Sequence, residues 1–178
     1  MAKVAVVFHS GYGHTQRLAQ SVAQGAAADL ITIDAEGNVP EAAWDTLAAA
    51  DAIIFGSPTY MGSVSWQFKK FADASSKPWY VQAWKDKIFG GFTNSANVDG
   101  DKHSTLHYFM TLAMQHGGLW AGTGMAYNNH KGSQRTDINY LASNAGPIAQ
   151  TPGDASADEM NAGDLETCLL YTSPSPRD

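Results

Sequence analysis

Lys3–Ala27 reads KVAVVFHSGYGHTQRLAQSVAQGAA, and its two halves follow different periods. Lys3–Phe8 is a short apolar run, the pattern of a strand buried on both faces. From about His14 to Ala27, Leu18, Val22 and Ala26 recur four apart, the single apolar stripe of a helix. Between them lies the turn Ser10-Gly11-Tyr12-Gly13-His14-Thr15. A buried strand that steps into an amphipathic helix is the opening half of a βαβ unit.

The alternation continues along the chain. Leu30–Ile33 reads as a second strand and Pro40–Ala50 as a second helix, with proline in its first turn. Ala52–Phe55 is a third strand, and Trp66–Ala74 a helix with Phe68, Phe71 and Ala72 facing inward. Ile88–Phe92 is a fourth strand. The helix Thr105–Gln115 places Leu106, Phe109, Met110 and Ala113 on one face, and a weak fifth strand spans Leu119–Ala121. After an irregular stretch rich in Asn, Gly and Ser, Ser156–Thr167 opens as a helix, with Ser156 and Glu159 spaced as a capping box. The pattern predicts an α/β domain with a parallel sheet. Beyond Thr167 the chain reads CLLYTSPSPRD, where two prolines oppose helix. The last helix is therefore expected to be incomplete, with the domain at 1–167 and 168–178 a disordered or non-native tail.

Composition narrows the function classes. At 178 residues the chain suits one domain with a substantial core. Eleven Lys and Arg against 17 Asp and Glu give a net charge of −6 without a basic cluster, so no nucleic-acid partner is expected. The apolar run Val4–Phe8 is too short for a signal sequence or a membrane span, so no membrane insertion is expected. One cysteine, Cys168, excludes an internal disulfide framework and makes a reducing cytoplasm the simplest setting.

In an open parallel sheet, ligands bind beyond the carboxyl ends of the strands. Three loops there are rich in Gly, Ser, Thr and Asn. In Ser10–Thr15, glycines let the backbone wrap an anion while helix amides and dipole point at it, and the hydroxyls of Ser10 and Thr15 add donors. The loop contains no Lys or Arg. A dinucleotide fingerprint would need a third glycine where Gln16 stands, although Asp34 lies where a ribose partner would; the Walker pattern is absent. A terminal monophosphate fits better, which favours a mononucleotide such as FMN. In Gly56–Ser63, Pro58 stiffens the turn, Gly56 and Gly62 permit close backbone approach, and Tyr60 with Met61 offers flat, polarizable surface to a ring. Thr93–Gly100 supplies amides for the ring's polar edge.

Together, SGYGHT, GSPTYMGSVSWQFKKFAD and FTNSAN resemble the WrbA branch of the flavodoxin-like superfamily, over about Val4 to Thr167. The resemblance implies a doubly wound, five-stranded parallel sheet in the order 2-1-3-4-5. It also implies non-covalent FMN, hydride taken from NADH or NADPH, and two-electron reduction of quinones. It implies a homo-oligomer, a dimer or tetramer, with sites at subunit contacts. Carried over by position, Ser10, Gly11, Tyr12, Gly13, His14 and Thr15 would hold the phosphate. Pro58, Thr59, Tyr60 and Met61 would face the ribityl chain and ring. Thr93, Asn94, Ser95, Ala96, Asn97, Val98 and Asp99 would edge the ring, with His116 beside the flavin and Trp79 and Tyr12 toward the substrate. Two features depart from the family. Tyr60-Met61 stands where Arg-Phe is frequent, and Asn97-Val98-Asp99 interrupts a loop usually richer in glycine.

Other signals read more blandly. His103 and His107 share a helix face, but no third ligand suggests itself, so no metal site is expected. Trp79, Tyr80 and Trp84 cluster before the fourth strand as core, interface or quinone platform. No Ser-His-Asp or Cys-His set is evident, so no side chain is expected to act as a nucleophile. Two alternatives remain: an electron-carrier flavodoxin without a nicotinamide site, and a Rossmann NAD enzyme without a flavin.

Overall fold

The computed structural model describes residues 2–173. β1 (Val4–His9) carries Ala5, Val6 and Val7 with no exposure at all. A strand covered on both faces needs no polar alternation, which is why this one reads as a continuous apolar run. α1 (His14–Ala26) returns antiparallel to it and buries Leu18, Ala19 and Val22. The chain then alternates through β2 (Asp29–Ile33), α2 (Glu41–Ala49), β3 (Ala52–Tyr60), a two-residue β4 (Ser63–Val64), α3 (Trp66–Ala74) and the short α4 (Ser76–Tyr80). β5 (Ile88–Ser95), α5 (Lys102–Gln115), β6 (Leu119–Trp120), β7 (Ile148–Gln150) and α6 (Ala162–Thr172) complete it.

The main sheet runs β2-β1-β3-β5-β6, all parallel, with β4 an antiparallel hairpin on β3 and β7 parallel to β5. Counting only the five strands expected from the sequence, this is the order 2-1-3-4-5. Each face carries its own core. α2, α3 and α5 pack Leu47, Phe68, Phe71 and Phe109 over one face, against Val7, Phe55 and Phe89. α1 and α6 pack Leu18, Val22 and Cys168 over the other, against Val6, Phe8, Ile54 and Phe92. The sheet is doubly wound, as its sequence pattern required.

Several boundaries differ from the sequence expectation. β3 continues to Tyr60 and β5 to Ser95, because the two strands stay paired through Ser57–Thr93 and Pro58–Asn94. β7 lies inside the stretch expected to be irregular. The capping box at Ser156 and Glu159 forms, but it holds only one 3-10 turn, Ala157–Glu159. The final helix starts afresh at Asn161, whose side chain accepts from the Gly163 amide at 2.9 Å. That helix does not stop at Thr167 but runs on through Cys168 to Thr172. Its last turns are anchored: Tyr171 Oη donates to the Ala121 carbonyl and Thr172 Oγ1 to the Val22 carbonyl, each at 2.6 Å. Gly25 lets the two helices touch, since a Cβ there would sit 2.2 Å from the Leu169 carbonyl oxygen. The rest of the expected tail, 174–178, lies outside the described residues.

Candidate functional site

The turn from β1 into α1 puts Gly13 at the helix N-cap with φ +90°, a conformation that glycine adopts without a Cβ penalty. Ser10 Oγ accepts from the Gly13 amide at 3.1 Å, closing the turn. The next amides of an α-helix have no intrahelical partner and carry the positive end of its dipole. No acidic residue occupies the first turn of α1, and Thr15 is buried there.

Two further walls complete a cleft of about 350 Å³. One is the end of β3, where Pro58, Thr59 and Tyr60 face the turn. Tyr60 Oη stands so close to Gly11 that a Cβ on that residue would lie 2.6 Å from it. Burial, and to a lesser extent the nearby Tyr12, raises the Tyr60 phenol above its ordinary pKa, so it stays a neutral donor. The other wall is Asn94, Ser95 and Ala96 at the end of β5, joined by Thr151 and Gly153 from the segment after β7. Thr151 Oγ1 donates to Asn94 Oδ1 at 2.9 Å, and the Thr151 amide to the Ser95 carbonyl at 3.1 Å. His14 Nε2 donates to the Ala155 carbonyl at 2.8 Å, tying α1 to this rim. Among the described residues, no Asp, Glu, Lys or Arg lines the cleft.

Beneath it lies an ordered run of hydroxyls. Thr93 Oγ1 donates to the Ser57 carbonyl at 2.7 Å, so it accepts from Thr59 Oγ1 at 2.9 Å. Thr59 has then spent its proton and accepts from Thr105 Oγ1 at 2.8 Å. These bonds join β3, β5 and α5 under the site and fix the cleft floor.

The structure gathers Ser10, Gly11, Tyr12, His14, Thr15, Pro58, Thr59, Tyr60, Asn94, Ser95 and Ala96 around the one cleft, with Gly13 in its turn. It leaves others outside. Met61 is fully exposed at the β3–β4 turn, with φ +48°. Thr93 is entirely buried in the floor, and Val98 is exposed on a loop that turns away, with Asn97 and Asp99 beside it. His116 and Trp79 lie together at the opposite edge of the sheet. The reason is topological: α5 begins beyond the carboxyl end of β5 and returns antiparallel, so His116 at its C-terminus reaches the amino ends of the strands. There His116 Nε2 contacts Ser75 Oγ at 2.9 Å and its ring packs on Trp84 at 4.3 Å between centroids. Burial pushes its pKa down to about 4. Thr151 and Gly153 were not anticipated; Thr151-Pro152-Gly153 carries only a generic turn signal. Among the described residues, no group of three or more His, Cys, Asp or Glu is placed to hold a metal ion. None of the described helices is long and apolar enough to cross a membrane.

The family model described as NADPH-dependent FMN reductase matches residues 3–131. The chain belongs to this family. Flavodoxin FldP of Pseudomonas aeruginosa is 57% identical over 173 residues, 97% of this chain and 94% of that one. An NAD(P)H dehydrogenase (quinone) of Geobacter sulfurreducens is 32% identical over 148 residues, covering 70% and 73% of the two chains. The crystal structure of the flavodoxin, WrbA-like protein from Agrobacterium tumefaciens superposes with a TM-score of 0.79 and 53% identity, covering 97% of this chain and 94% of that one. The resemblance drawn from the three sequence motifs therefore holds, and so does the flavodoxin-like fold. The membership makes this a chain of an FMN-binding oxidoreductase family, which removes the flavin-free Rossmann reading.

Proposed function

We propose that the cleft holds one FMN without a covalent bond and that the chain passes two electrons from NADPH or NADH to quinone-like acceptors. The observation that carries this reading is the lining of the cleft. Amides and hydroxyls at the N-terminus of α1, the rings of Tyr12 and Tyr60 and the Asn94–Ala96 edge surround one volume, and no charged side chain among the described residues lines it. FMN has the matching parts, an anionic phosphate and a flat ring with a polar edge.

Each wall then has a task. The first-turn amides of α1, with Ser10 and Thr15, would take the phosphate, a dipole-stabilised site needing no lysine. Gly11 and Gly13 keep the backbone bare where the phosphate must approach. Pro58 and Thr59 would run beside the ribityl chain, and the Asn94–Ala96 edge would meet the polar side of the ring. Tyr12, 80% exposed, would leave room beside a bound ring for a second planar molecule. The bound flavin supplies the redox chemistry, while the protein binds, orients and shields. No side chain needs to act as a nucleophile.

Trp79, partly exposed, would reach a cleft only from a neighbouring chain, which is what the expected homo-oligomer with sites at subunit contacts would provide; His116 is buried within its own chain. A cytoplasmic setting suits a chain whose one cysteine is fully buried.

A second reading, an electron carrier serving protein partners, is favoured by the 57% likeness to Flavodoxin FldP along nearly the whole of both chains. It is favoured too by the absence of Trp79 from this chain's own cleft. Anaerobic oxidation of NADPH and NADH by the FMN-loaded protein, with and without benzoquinone, separates the readings. Turnover far above that of free FMN supports the reductase. Tight FMN binding without turnover assigns the carrier. Failure to bind FMN defeats both.

A further inference from the structure

Lys102 opens α5 yet is only 1% exposed, and lysine is almost never buried so fully without partners. Its partners are three backbone carbonyls of the preceding loop: Asn97 at 2.5 Å, Val98 at 2.9 Å and Asp99 at 3.2 Å. An ammonium has three N–H donors, so this one is saturated. The loop is folded tightly around it. Gly100 and Asp101 both have positive φ, +54° and +53°, and a Cβ on Gly100 would lie 2.0 Å from Ser95 Oγ. Three carbonyls converging on one positive charge form a cation cage, with the cation supplied on a tether.

The same loop leaves the cleft wall. Asn94, Ser95 and Ala96 line the cleft directly upstream of the caged carbonyls. Gln150 Nε2 fixes the Ala96 carbonyl at 2.7 Å from the other side. The charges facing Lys102 are Asp164 on α6 and Asp99 on the loop, which favour its ammonium, and Arg135, which opposes it. Arg135 is itself paired with Asp164 at 2.7 and 2.5 Å. Burial outweighs these and lowers the Lys102 pKa to about 8. The native state thus holds this proton less firmly than the unfolded chain does, and the charge is kept at a cost in stability. A residue that only filled space would be better apolar.

We propose that Lys102 is a positioning residue: its tethered ammonium shapes the 95–101 loop, and through it the Asn94–Ala96 edge of the cleft. The cage it fills takes a free primary ammonium ion when the side chain is cut back. Lys102 and Asp99 also line an open groove of about 820 Å³, which gives a small cation a way in. The link to FMN affinity rests on the cofactor reading above; the cage itself does not.

The test has two arms on the full chain. Without FMN, amide hydrogen exchange of residues 95–101 is measured for the wild type, Lys102→Ala and Lys102→Met, with ethylammonium chloride or equal sodium chloride. Exchange in Lys102→Ala should be about tenfold faster, the loss of a charge-assisted bond. Ethylammonium should restore it and sodium chloride should not. Lys102→Met, whose side chain still fills the cage, should be fast and not rescued. After correction for intrinsic exchange, the wild type should lose protection above about pH 8, the point where its ammonium deprotonates, while Lys102→Met stays flat. With FMN, Lys102→Ala should bind about tenfold more weakly and recover with ethylammonium.

Wild-type exchange in Lys102→Ala, or faster exchange that ethylammonium cannot restore, overturns the cage. A restored loop with unchanged FMN affinity overturns the positioning role. If FMN binds neither protein while the loop arm holds, the cage stands and the cofactor reading is what fails. If Lys102→Ala does not fold, the wild-type pH profile against Lys102→Met decides, and a flat wild-type profile overturns the proposal.

Discussion

Replacing Gly56 by alanine tests how the three central strands are packed. Gly56 lies in one lateral row with Phe8 on β1 and Phe92 on β5. All three face the α1–α6 side, where both phenylalanines belong to the core. A Cβ on Gly56 would stand 2.3 Å from Phe92 Cζ, and 2.8 Å from both Phe92 Cε2 and Phe8 Cβ. Phe92 is fully buried and cannot swing out, and Phe8 Cβ is fixed to a paired strand. Overpacking of this kind costs about 1–3 kcal/mol, and the two immovable neighbours put Gly56→Ala at the upper end, near 3 kcal/mol. For a domain of this size each kcal/mol lowers Tm by roughly 2–4 °C, so a fall of roughly 6–12 °C is expected. Gly153→Ala is the control: Gly153 lines the cleft, and an added Cβ would meet nothing within 4 Å. Thermal unfolding followed by circular dichroism gives both values, and FMN titration well below Tm gives affinity. Gly56→Ala should be much less stable with nearly unchanged affinity. If it lost affinity at wild-type stability, Gly56 would face the ligand, as its place in a glycine-bearing loop first suggested, and the packing argument would be wrong.

Two further outcomes follow from the site. Thr15→Val keeps the side-chain shape and removes one hydroxyl at the helix N-terminus. FMN affinity should fall by about 1.5–3 kcal/mol while riboflavin, which lacks the phosphate, is bound as before; equal losses would place Thr15 away from the phosphate. His116 gives a pH signature. Unfolded, it takes a proton near 6.5, but in the native state only near 4. Between those values the unfolded chain binds more protons, so its contribution is full above 6.5 and is lost as pH falls toward 4, up to about 3 kcal/mol. His9, also lowered by burial, adds in the same direction. The Tm difference between about pH 7 and pH 4.5 should therefore shrink in His116→Gln; an unchanged difference would mean the ring is not held neutral.

The elements were legible because their periods are strong, and the sheet's continuous apolar strands announced burial on both faces. What sequence could not supply was distance along the chain. Thr151 meets Asn94 across 57 positions, and β7 exists only because β5 runs on past its apolar stretch to Ser95. Lys102 reads as an ordinary surface lysine in a polar loop, since nothing local marks a lysine for burial. Motif position alone points Trp79 and His116 to the flavin, whereas the return direction of the helix after β5 sends His116 to the far edge. The prolines of Ser-Pro-Ser-Pro oppose helix only near their own positions, so they do not shorten the last helix over Cys168–Thr172, five residues that α1 and the sheet hold in place.

If the β1–α1 turn, the end of β3 and the end of β5 form one FMN site, fluorescence titration of FMN into the purified chain will show it. Quenching should saturate at one FMN per chain, with a rise in Tm at saturation and full release of FMN on denaturation. No quenching and no thermal shift at saturating FMN would contradict it.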